Sequence, residues 1–417
     1  MQFLRRLFHF FIACAASVFY RHPSRELFVI GVTGTKGKST SAELIATLLE
    51  AGGRTVALLS TVRVKIGKDE TMNETRNTMP GRFFIQRFLR RAANAGVTHA
   101  VLEVTSQGVM QSRHRFIDFD AAVFLNLHPE HIEAHGSFDE YRGAKVDFFR
   151  DVARRSKKAK KYFFLNHADP SARYFFAAVD GMGEIYYFSR EEFVRSFFGR
   201  RGNVSAWLHT DFNLENAAAA VKVAEVAGID AAAIARVMKS FSGVPGRMEV
   251  VQHEPFRVIV DYAHTPDSLE AVYNSLTSKT IKRSRTSRLI CVLGAAGGGR
   301  DTWKRPAMGR IAAQYCTVVF FTNEDPYDED PAAIMEAVER GFVEREEKRG
   351  RTLPHHEVVL DRRAAIERAL KRARRGDIVI ITGKGSESAI RSTGGRRTPW
   401  SDRGAVEEIL AARKTKT

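Results

Sequence analysis

The chain has 417 residues, of which 44% are hydrophobic and 27% are charged. This length suits two or three globular domains, and the composition excludes a disordered or fibrous chain. Its 65 Lys and Arg against 48 Asp and Glu give a formal net charge of +17, which favours anionic partners such as nucleotides, nucleotide sugars or acidic lipid. The three cysteines are scattered, so we predict no disulfide or zinc framework and a reducing, cytoplasmic location.

The N-terminal segment, residues 1–24, is predicted to form an apolar helix with two arginines near its start. Its apolar stretch from Leu7 to Tyr20 is short for a membrane span and is broken by His9. No clear small-residue cleavage site of a signal peptide follows. We therefore predict a helix that packs on the next domain or lies on a membrane surface.

A glycine-rich loop follows, in the stretch VIGVTGTKGKSTSAEL from residue 29 to 44. The usual phosphate-binding loop has Gly, four residues and then Gly-Lys-Ser/Thr, but Val32 occupies the first glycine position here. A buried strand precedes the loop, and a helix ended by Gly52 and Gly53 follows it. This order brings backbone N–H groups and a helix N-terminus to an anion. The pattern predicts that Lys38 reaches the β- and γ-phosphates and that Ser39 contacts Mg²⁺; the alternative is a simple turn with a solvated lysine.

The remainder of the chain alternates between predicted strands and helices. Strand-like runs at 55–61, 98–104, 121–127 and 160–166 indicate a βαβ series with a mostly parallel sheet. A helix-rich stretch begins at Asn213, and SGVPGR, residues 242–247, is typical of a domain boundary. A second α/β set then follows. We predict an α/β fold organised as an N-terminal helix (1–24), a central P-loop domain (25–243) and a C-terminal Rossmann-like domain (244–417).

Several polar residues stand where this topology places ligands. Glu103 ends a strand and could hold a metal, although such a residue is more often a solvated rim residue. His131 and His135 are four residues apart, but Ile132 replaces the glutamate of the zinc-protease pattern, so zinc is not expected. Ser137 with Glu140 predicts a capping box for a helix that carries Lys145, itself an ordinary surface lysine unless something else selects it.

The later motifs are chemically less specific. Asn213 and Asn216 could cap the helix that follows them. DYAHTPDSLE, from Asp261, places polar groups at a strand end before a proline. GAAGGGRDTWKRP, from residue 294 to 306, is a glycine loop with arginines and a lysine that suit phosphate or carboxylate.

Taken together, these motifs resemble the Mur ligase family, and most closely its UDP-N-acetylmuramoyl-tripeptide synthetase type. The resemblance extends from about Phe28 to the C-terminus. It rests on GVTGTKGKST, EVTSQGVMQSR, NLHPEHIEAHGSFDEYRGAKVDFF, DFNLENAAAA, GVPGRMEV, VDYAHTPDSLE, GRDTWKRPAMG, NEDPYDEDP, GDIVIITGKGSE and WSDR. The short Gly-x-x-Gly-Lys-Ser loop is this family's form of the ATP site.

The resemblance implies that ATP phosphorylates an acceptor carboxylate and that the amine of an amino acid then attacks the acyl phosphate. It implies ATP and Mg²⁺ as cofactors and the catalytic residues Lys38, Glu103, His131 and Lys145, with Ser39, Glu103, His131 and Lys145 (as a carbamate) at the metal. The implied ATP contacts are Gly34, Thr35, Lys36, Gly37, Lys38, Ser39, Thr40, Asn213, Asn216, Arg247, Asp261 and His264. The implied acceptor contacts are Asn77, Thr78, Thr105, Gln111 and Arg113, and those to the amino acid are Arg300, Glu324, Asp325, Tyr327, Gly383 and Glu387.

Two departures from the family pattern leave the substrate open. Only some thirty residues precede the ATP loop, where the family normally has a uridine-binding domain, so an acceptor without UDP, lipid-linked or polymeric, is an alternative. Tyr327 stands where diaminopimelate-adding members have arginine, and acids follow it, so we predict a basic amino acid such as lysine or ornithine. A non-catalytic basic binding protein is a third interpretation. We expect a monomer, no nucleic acid, and peripheral membrane contact through the N-terminal helix.

Overall fold

The computed structural model describes residues 2–75, 77–128, 135–197, 205–277, 287–299, 301–348 and 352–414. The chain divides into two compact units, Met1–Ser242 and Gly243–Thr417. Both units are α/β, with helices on the faces of mostly parallel sheets, as predicted. No helix in these described ranges is both long enough and apolar enough to cross a bilayer.

The first unit is a βαβ series in which antiparallel strands extend one edge. Its strands are β1 (Phe28–Thr33), β2 (Val56–Leu59), β3 (Arg63–Ile66), β4 (Asp69–Met72), β5 (His99–Glu103), β6 (Ala121–Phe124), β7 (Tyr162–Asn166) and β8 (Glu184–Phe188). Its helices are α1 (Gln2–Phe19), α2 (Lys38–Ala51), α3 (Arg82–Asn94), α4 (Ser106–Met110), α5 (Phe138–Arg155), α6 (Ala172–Val179), α7 (Arg190–Phe197), α8 (Asp211–Val226) and α9 (Ala231–Ser240), with 3₁₀ turns at Pro23–Glu26 and Ala206–His209.

The strand order of this sheet, β4-β3-β2-β5-β1-β6-β7-β8, determines which loops meet. β1 lies between β5 and β6, and all three run parallel. Val32 is opposite Glu103, and Thr33 is opposite Phe124. Because parallel strands end at the same edge, the loop after β1, the end of β5 and the segment after β6 are neighbours.

Apolar layers cover both faces of this sheet. β1 alternates between them, because Ile30 and Val32 face one cluster and Val29 faces the other. α2, α8 and α9 supply the helical side of the first cluster, and α3 and α5 supply much of the second. The loop after β1 therefore joins two elements, β1 and α2, that pack in the same apolar layer.

The second unit has a six-stranded sheet of order β13-β12-β11-β14-β10-β9, in which only β9 is antiparallel, and a separate hairpin. Its strands are β9 (Glu249–Gln252), β10 (Arg257–Asp261), β11 (Leu289–Leu293), β12 (Val318–Phe321), β13 (His355–Val358), β14 (Ile378–Thr382), β15 (Ala389–Ser392) and β16 (Arg396–Pro399). Its helices are α10 (Pro266–Thr277), α11 (Lys304–Tyr315), α12 (Pro331–Lys348), α13 (Arg362–Arg372) and α14 (Asp402–Lys414), with a 3₁₀ turn at Thr393–Gly395.

The cysteine prediction is wrong for two of the three residues. Cys291 in β11 and Cys316, which caps the end of α11, form a disulfide, and Cys14 is free. The two cysteines are 25 residues apart in sequence, but their Cα atoms are 6.1 Å apart because β11 and β12 are paired in the sheet. Spacing along the chain gave no sign of this approach.

Candidate active site

The loop Gly34–Gly37 joins β1 directly to α2. Gly37 is the N-cap of α2 and has a φ of 81°, a left-handed conformation that favours glycine. A Cβ at Gly37 would lie 2.0 Å from Oδ1 of Asn216, so the position has no room for a side chain. Asn126, just after β6, accepts hydrogen bonds from the backbone N–H groups of Thr35 and Lys36 at 2.9 Å each. The loop is thus held from both sides by asparagines that are distant in sequence.

Two lysine ammonium groups converge on the carbonyl of Gly34. Lys38, the first residue of α2, donates to the carbonyl oxygens of Gly34 at 3.0 Å and Thr35 at 2.9 Å. Lys145, on α5, donates to the same Gly34 oxygen at 2.7 Å and is only 1% exposed. The interpretation of Lys145 as a surface lysine is therefore wrong. Tyr141, whose ring lies beneath the Lys145 ammonium, also contacts the Thr35 hydroxyl at 3.0 Å.

A pair of buried carboxylates lies in the same unit. Glu103, at the end of β5, is 1% exposed, and its oxygens accept hydrogen bonds from the Thr61 backbone N–H at 2.6 Å and the Thr61 hydroxyl at 3.1 Å. It is not a solvated rim residue. Glu43 is one helical turn after Ser39 on α2, and burial raises the pKa of its carboxyl to about 7, with Glu103 adding to the rise. Sequence analysis missed Glu43, although its i, i+4 spacing from Ser39 was a readable signal.

These groups fit a hard divalent cation. Ser39 and Thr40 are buried at the start of α2, and Ser39 with Glu103 supplies the hydroxyl and carboxylate oxygens that Mg²⁺ prefers. The raised pKa of Glu43 comes mainly from burial, and its carboxylate is paired with the Arg63 guanidinium at 3.0 Å. Within the described ranges, no group of three His, Cys, Asp or Glu residues is placed to hold a metal ion by itself.

The histidine predictions have different outcomes. His131 lies outside the described residues. His135 is buried, and its Nε2 is 3.1 Å from the hydroxyl of Ser106. The predicted helix cap after them is confirmed, because the Ser137 hydroxyl accepts a hydrogen bond from the backbone N–H of Glu140 at 3.1 Å.

The predicted acceptor residues lie on the segments after β4 and β5. Thr78 contacts the Thr61 hydroxyl at 2.8 Å, so Thr61 links it to Glu103. Thr105 caps α4, and Arg113 donates to the Gln111 side chain at 3.0 Å. Asn77 is exposed, and its amide donates within its own loop. The structure thus links Thr78 to the carboxylate, leaves Asn77 bonded within its own loop, and joins Arg113 to the carbonyl of Met79, the residue after Thr78.

Asn213 and Asn216 do not cap a helix. α8 already begins at Asp211 with Thr210 as its N-cap, so both asparagines lie inside its first turns. Asn213 donates to the Trp207 carbonyl at 2.9 Å, and Asn216 accepts from the Ser41 hydroxyl at 3.2 Å. Their buried amides instead stabilise the packing of α8 near the loop after β1.

In the second unit, Arg247, Asp261 and His264 are close together. Asp261 ends β10, and burial raises the pKa of its carboxyl, which accepts the backbone N–H groups of Met248 and Ala263 at 2.7 Å each. Arg247 stacks over the ring of Tyr262 at 4.1 Å. His264 Nδ1 is 2.9 Å from the Tyr262 carbonyl oxygen. Tyr262, a residue of the DYAHTPDSLE motif to which the sequence analysis assigned no contact, therefore connects two of the three residues.

A second cluster of charge follows β12 and β14 in this unit. Lys384 is buried and donates to Asp325 at 2.8 Å and to Glu387 at 2.5 Å. Burial raises the pKa of Glu324 to about 7, and its Oε2 has no hydrogen-bond partner among the described residues. Gly383 has a φ of 110°, and a Cβ there would lie 2.4 Å from that oxygen. Arg300 lies outside the described residues.

The acids after Tyr327 are bound locally. Asp328 accepts the Gly394 backbone N–H, Glu329 pairs with Arg305, and Asp330 accepts the Ala332 backbone N–H at the start of α12. Arg391, from β15, places its guanidinium carbon 5.7 Å from the centre of the Tyr327 ring. The sequence analysis missed Lys384 and Arg391. Lys384 could have been found, because it stands in the GKGSE motif already quoted.

Comparison of the sequence with known proteins gives matches over most of the chain. Residues 32–224 match the Mur ligase middle domain, and residues 246–385 match the Mur ligase, glutamate ligase domain. The UDP-N-acetylmuramoyl-L-alanyl-D-glutamate–2,6-diaminopimelate ligase of Syntrophomonas wolfei is 35% identical over 393 residues, covering 90% of this chain and 77% of the relative. The UDP-N-acetylmuramyl-tripeptide synthetase of a Roseiflexus species is 36% identical over 425 residues, covering 96% and 82%.

Solved structures show the same fold. A UDP-N-acetylmuramoyl-L-alanyl-D-glutamate–2,6-diaminopimelate ligase superposes with a TM-score of 0.59 at 28% identity, covering 93% of this chain and 79% of that one. A folylpolyglutamate synthase of Mycobacterium tuberculosis, solved with ADP and AMPPCP, superposes with a TM-score of 0.68 at 16% identity, covering 90% and 92%. The second similarity concerns the fold alone.

Proposed function

Because the chain belongs to the Mur ligase family of ATP-dependent, ADP-forming amide ligases, we propose that it joins an amino acid to a UDP-N-acetylmuramoyl-dipeptide-like acceptor in peptidoglycan synthesis. The acceptor carboxylate takes the γ-phosphoryl group of ATP and releases ADP. The amine of the amino acid then attacks the acyl carbon, phosphate leaves, and an amide forms. The observation that supports this proposal best is the convergence of Lys38 and Lys145 on Gly34, at the glycine loop.

The loop supplies phosphate binding and charge. We propose that Gly34 to Thr40 bind the ATP phosphates through backbone N–H groups and through Lys38, whose ammonium exchanges loop carbonyls for phosphate oxygens. Charge builds up on those oxygens during phosphoryl transfer, so Lys38 stabilises the transition state more than the ground state. Bound Mg²⁺, held by Ser39, Glu103, His131 and Lys145, would neutralise phosphate charge. Asn213, Asn216, Arg247, Asp261 and His264 are the further proposed nucleotide contacts.

Lys145 requires a chemical change to act as a metal-site residue. Its ammonium is a cation in a buried position, where it now bonds the Gly34 carbonyl. Loss of a proton from the ammonium, followed by addition of the neutral amine to CO₂ with release of a second proton, would give a carbamate, which is an anion. We propose this carbamate because it replaces a cation beside the loop by an anionic group and extends the lysine side chain by one carboxylate. His131 and Glu103 would complete the set of metal ligands.

For the amino acid, we propose lysine or ornithine, held by Glu324, Asp325, Tyr327, Gly383, Glu387 and Arg300. Glu324 carries this proposal, because an ammonium group would satisfy its unpartnered Oε2 and favour its ionised form. Diaminopimelate is the second candidate. It is favoured by Arg391 beside Tyr327, since a guanidinium can bind a distal carboxylate, and by the names of several relatives.

The acceptor also has a second candidate, a lipid-linked or polymeric carboxylate without UDP, which the exposed apolar residues of α1 favour. We propose that Asn77, Thr78, Thr105, Gln111 and Arg113 contact the acceptor in either case. We further propose a monomer that works in the cytoplasm without nucleic acid.

The experiment is ADP release by the purified chain with UDP-muramoyl-dipeptide, compared with muramoyl-dipeptide and lipid-linked acceptors that lack UDP. Each acceptor is combined with lysine, ornithine or diaminopimelate, and the product is identified by mass. We expect release only when UDP-acceptor and a basic amino acid are both present. Preferential incorporation of diaminopimelate over lysine would refute the pocket assignment, and equal turnover without UDP would refute the acceptor.

A further inference from the structure

The helix α1 buries small residues, while several of its large apolar residues face outward. Ala13, Ala16 and Ser17 are buried, and Ser17 donates to the Phe116 carbonyl at 3.0 Å. By contrast, Phe8 is 61% exposed and Phe19 is 71% exposed. Folding on the body of the unit would bury more apolar area with the phenylalanines inward. The outward position of these rings indicates an apolar partner outside the unit.

The exposed side chains form one continuous strip. We call it the outer face of α1; it consists of Leu7, Phe8, Phe11, Ala15, Val18 and Phe19. Their spacing of three and four residues places them on one side of the helix. Phe83 of α3 extends the strip, because its ring is 45% exposed and lies 6.1 Å from that of Phe19. Such a contiguous apolar surface is typical of an interaction site.

Arginine is the only charged residue type in the two helices that carry this strip. α1 and α3 together contain six arginines and no aspartate or glutamate. Two of them, Arg82 and Arg90, are partly engaged with Gln111 and with Glu26, whereas Arg87 and Arg91 on α3 are exposed. Apolar aromatic residues flanked by arginines are the pattern of a helix that lies in the headgroup region of an anionic membrane.

A cavity beside α1 has more cationic than anionic side chains in its wall. It has a volume of about 320 Å³ and is lined by Phe10 and Cys14, on the flank of the helix next to the outer face. Its charged wall contains four cationic side chains, Arg25, Arg115, Arg155 and Lys157, against the two carboxylates Asp118 and Asp151. The carboxylates are already paired: Asp118 contacts Arg25, and Asp151 contacts Arg115, Arg155 and His114. The surplus of cationic side chains over carboxylates in this wall favours an anionic neighbour.

We propose that the outer face of α1, together with Phe83, lies on the surface of a membrane that contains anionic lipid. A second copy of the chain is a poorer occupant, because a symmetric contact through this face would place arginines against arginines. The chain would bind as a peripheral protein, with the rings among the acyl-chain ends and Arg87 and Arg91 at the headgroups. This inference concerns attachment, so it stands apart from the ligase reaction proposed above.

The test is flotation of the full chain with phosphatidylcholine vesicles that contain or lack phosphatidylglycerol. We expect binding only with phosphatidylglycerol, weakened by high salt. Phe11→Ser with Phe19→Ser should lower vesicle affinity about a hundredfold, at about tenfold for each ring. Arg87→Gln with Arg91→Gln should lower it about twenty-five-fold, at about fivefold for each charge.

Matched controls are Phe176→Ser, an exposed ring on α6, and Arg195→Gln, an exposed arginine on α7. They should bind vesicles like the original chain, and every variant should keep its ATP turnover. Equal flotation of the Phe11/Phe19 variant and the Phe176 control would refute the proposal. The proposal would also be refuted if the wild-type chain did not bind vesicles and instead dimerised through these rings. Sedimentation would show this as a wild-type dimer and a monomeric Phe11/Phe19 variant.

Discussion

The substitution Gly37→Ala tests whether the glycine loop needs its left-handed backbone and its close approach to α8. Alanine at a φ of 81° costs about 1–2 kcal/mol, because Cβ meets the following carbonyl oxygen. The new Cβ would also lie 2.0 Å from Asn216 Oδ1. That side chain must move, which breaks its hydrogen bond from the Ser41 hydroxyl and costs about 1 kcal/mol more. The free energy of unfolding should fall by about 2–3 kcal/mol.

Gly53→Ala is the matched control, because Gly53 follows the same helix with a φ of 80° and has no heavy atom within 4 Å of its would-be Cβ. Its free energy of unfolding should fall only by the backbone contribution, about 1–2 kcal/mol. In an Asn216→Ala background, the extra loss of about 1 kcal/mol caused by Gly37→Ala should disappear, because the clash has been removed.

Urea unfolding gives these differences, and ADP release gives the effect on the reaction. Gly37→Ala should also abolish ADP release, since the loop N–H groups no longer point to one phosphate position, whereas Gly53→Ala should retain it. Equal destabilisation by the two alanines, with ADP release intact in both, would refute the role assigned to Gly37 and to its contact with Asn216.

Three further predictions follow from the site. Lys38→Ala should leave the fold intact and abolish ATP turnover, as checked by circular dichroism and ADP release; near-normal turnover would contradict the ATP assignment. Lys145→Ala should remove activity, and acetate or propionate should restore part of it by replacing the carbamate, whereas full turnover without rescue would make Lys145 dispensable. Glu324 has a pKa raised by burial from 4.5 to about 7, so its contribution to stability is present below about pH 4.5 and is lost as pH rises through about 7. Glu324→Gln should therefore flatten the pH dependence of the unfolding free energy by about 1–3 kcal/mol across that range, and an unchanged slope in urea titrations would contradict this.

The sequence by itself determined the features that depend on local pattern. The apolar run of β1, the glycine loop and the start of α2 at Lys38 are all where the pattern predicted them. The alternation of apolar strands with helices predicted two α/β sets, because buried parallel strands need nearly continuous apolar residues. The cap at Ser137 was readable because it depends on residues three positions apart.

The sequence pattern did not predict the short and polar strands. The strand series of the sequence analysis did not include β3, β4, β8, β9, β15 or β16, which lie at or next to a sheet edge or in a hairpin. In β4 and β16 every residue is exposed, so no apolar alternation marks them. The pairing of these strands depends on backbone hydrogen bonds to a neighbour rather than on their own side chains.

Only the tertiary structure decided what the polar residues do. Lys145 and Gly34 are 111 residues apart, and Asn216 and Ser41 are 175 apart, yet each pair is joined by a hydrogen bond. A lysine on a helix looks the same in sequence whether it is solvated or buried, and so does a glutamate at the end of a strand. Burial and the choice of partner are properties of the packed chain, because they depend on which strands and helices become neighbours. Burial raises the pKa of Glu43 and removes Lys145 from water, and the choice of neighbouring strands brings Cys291 to Cys316.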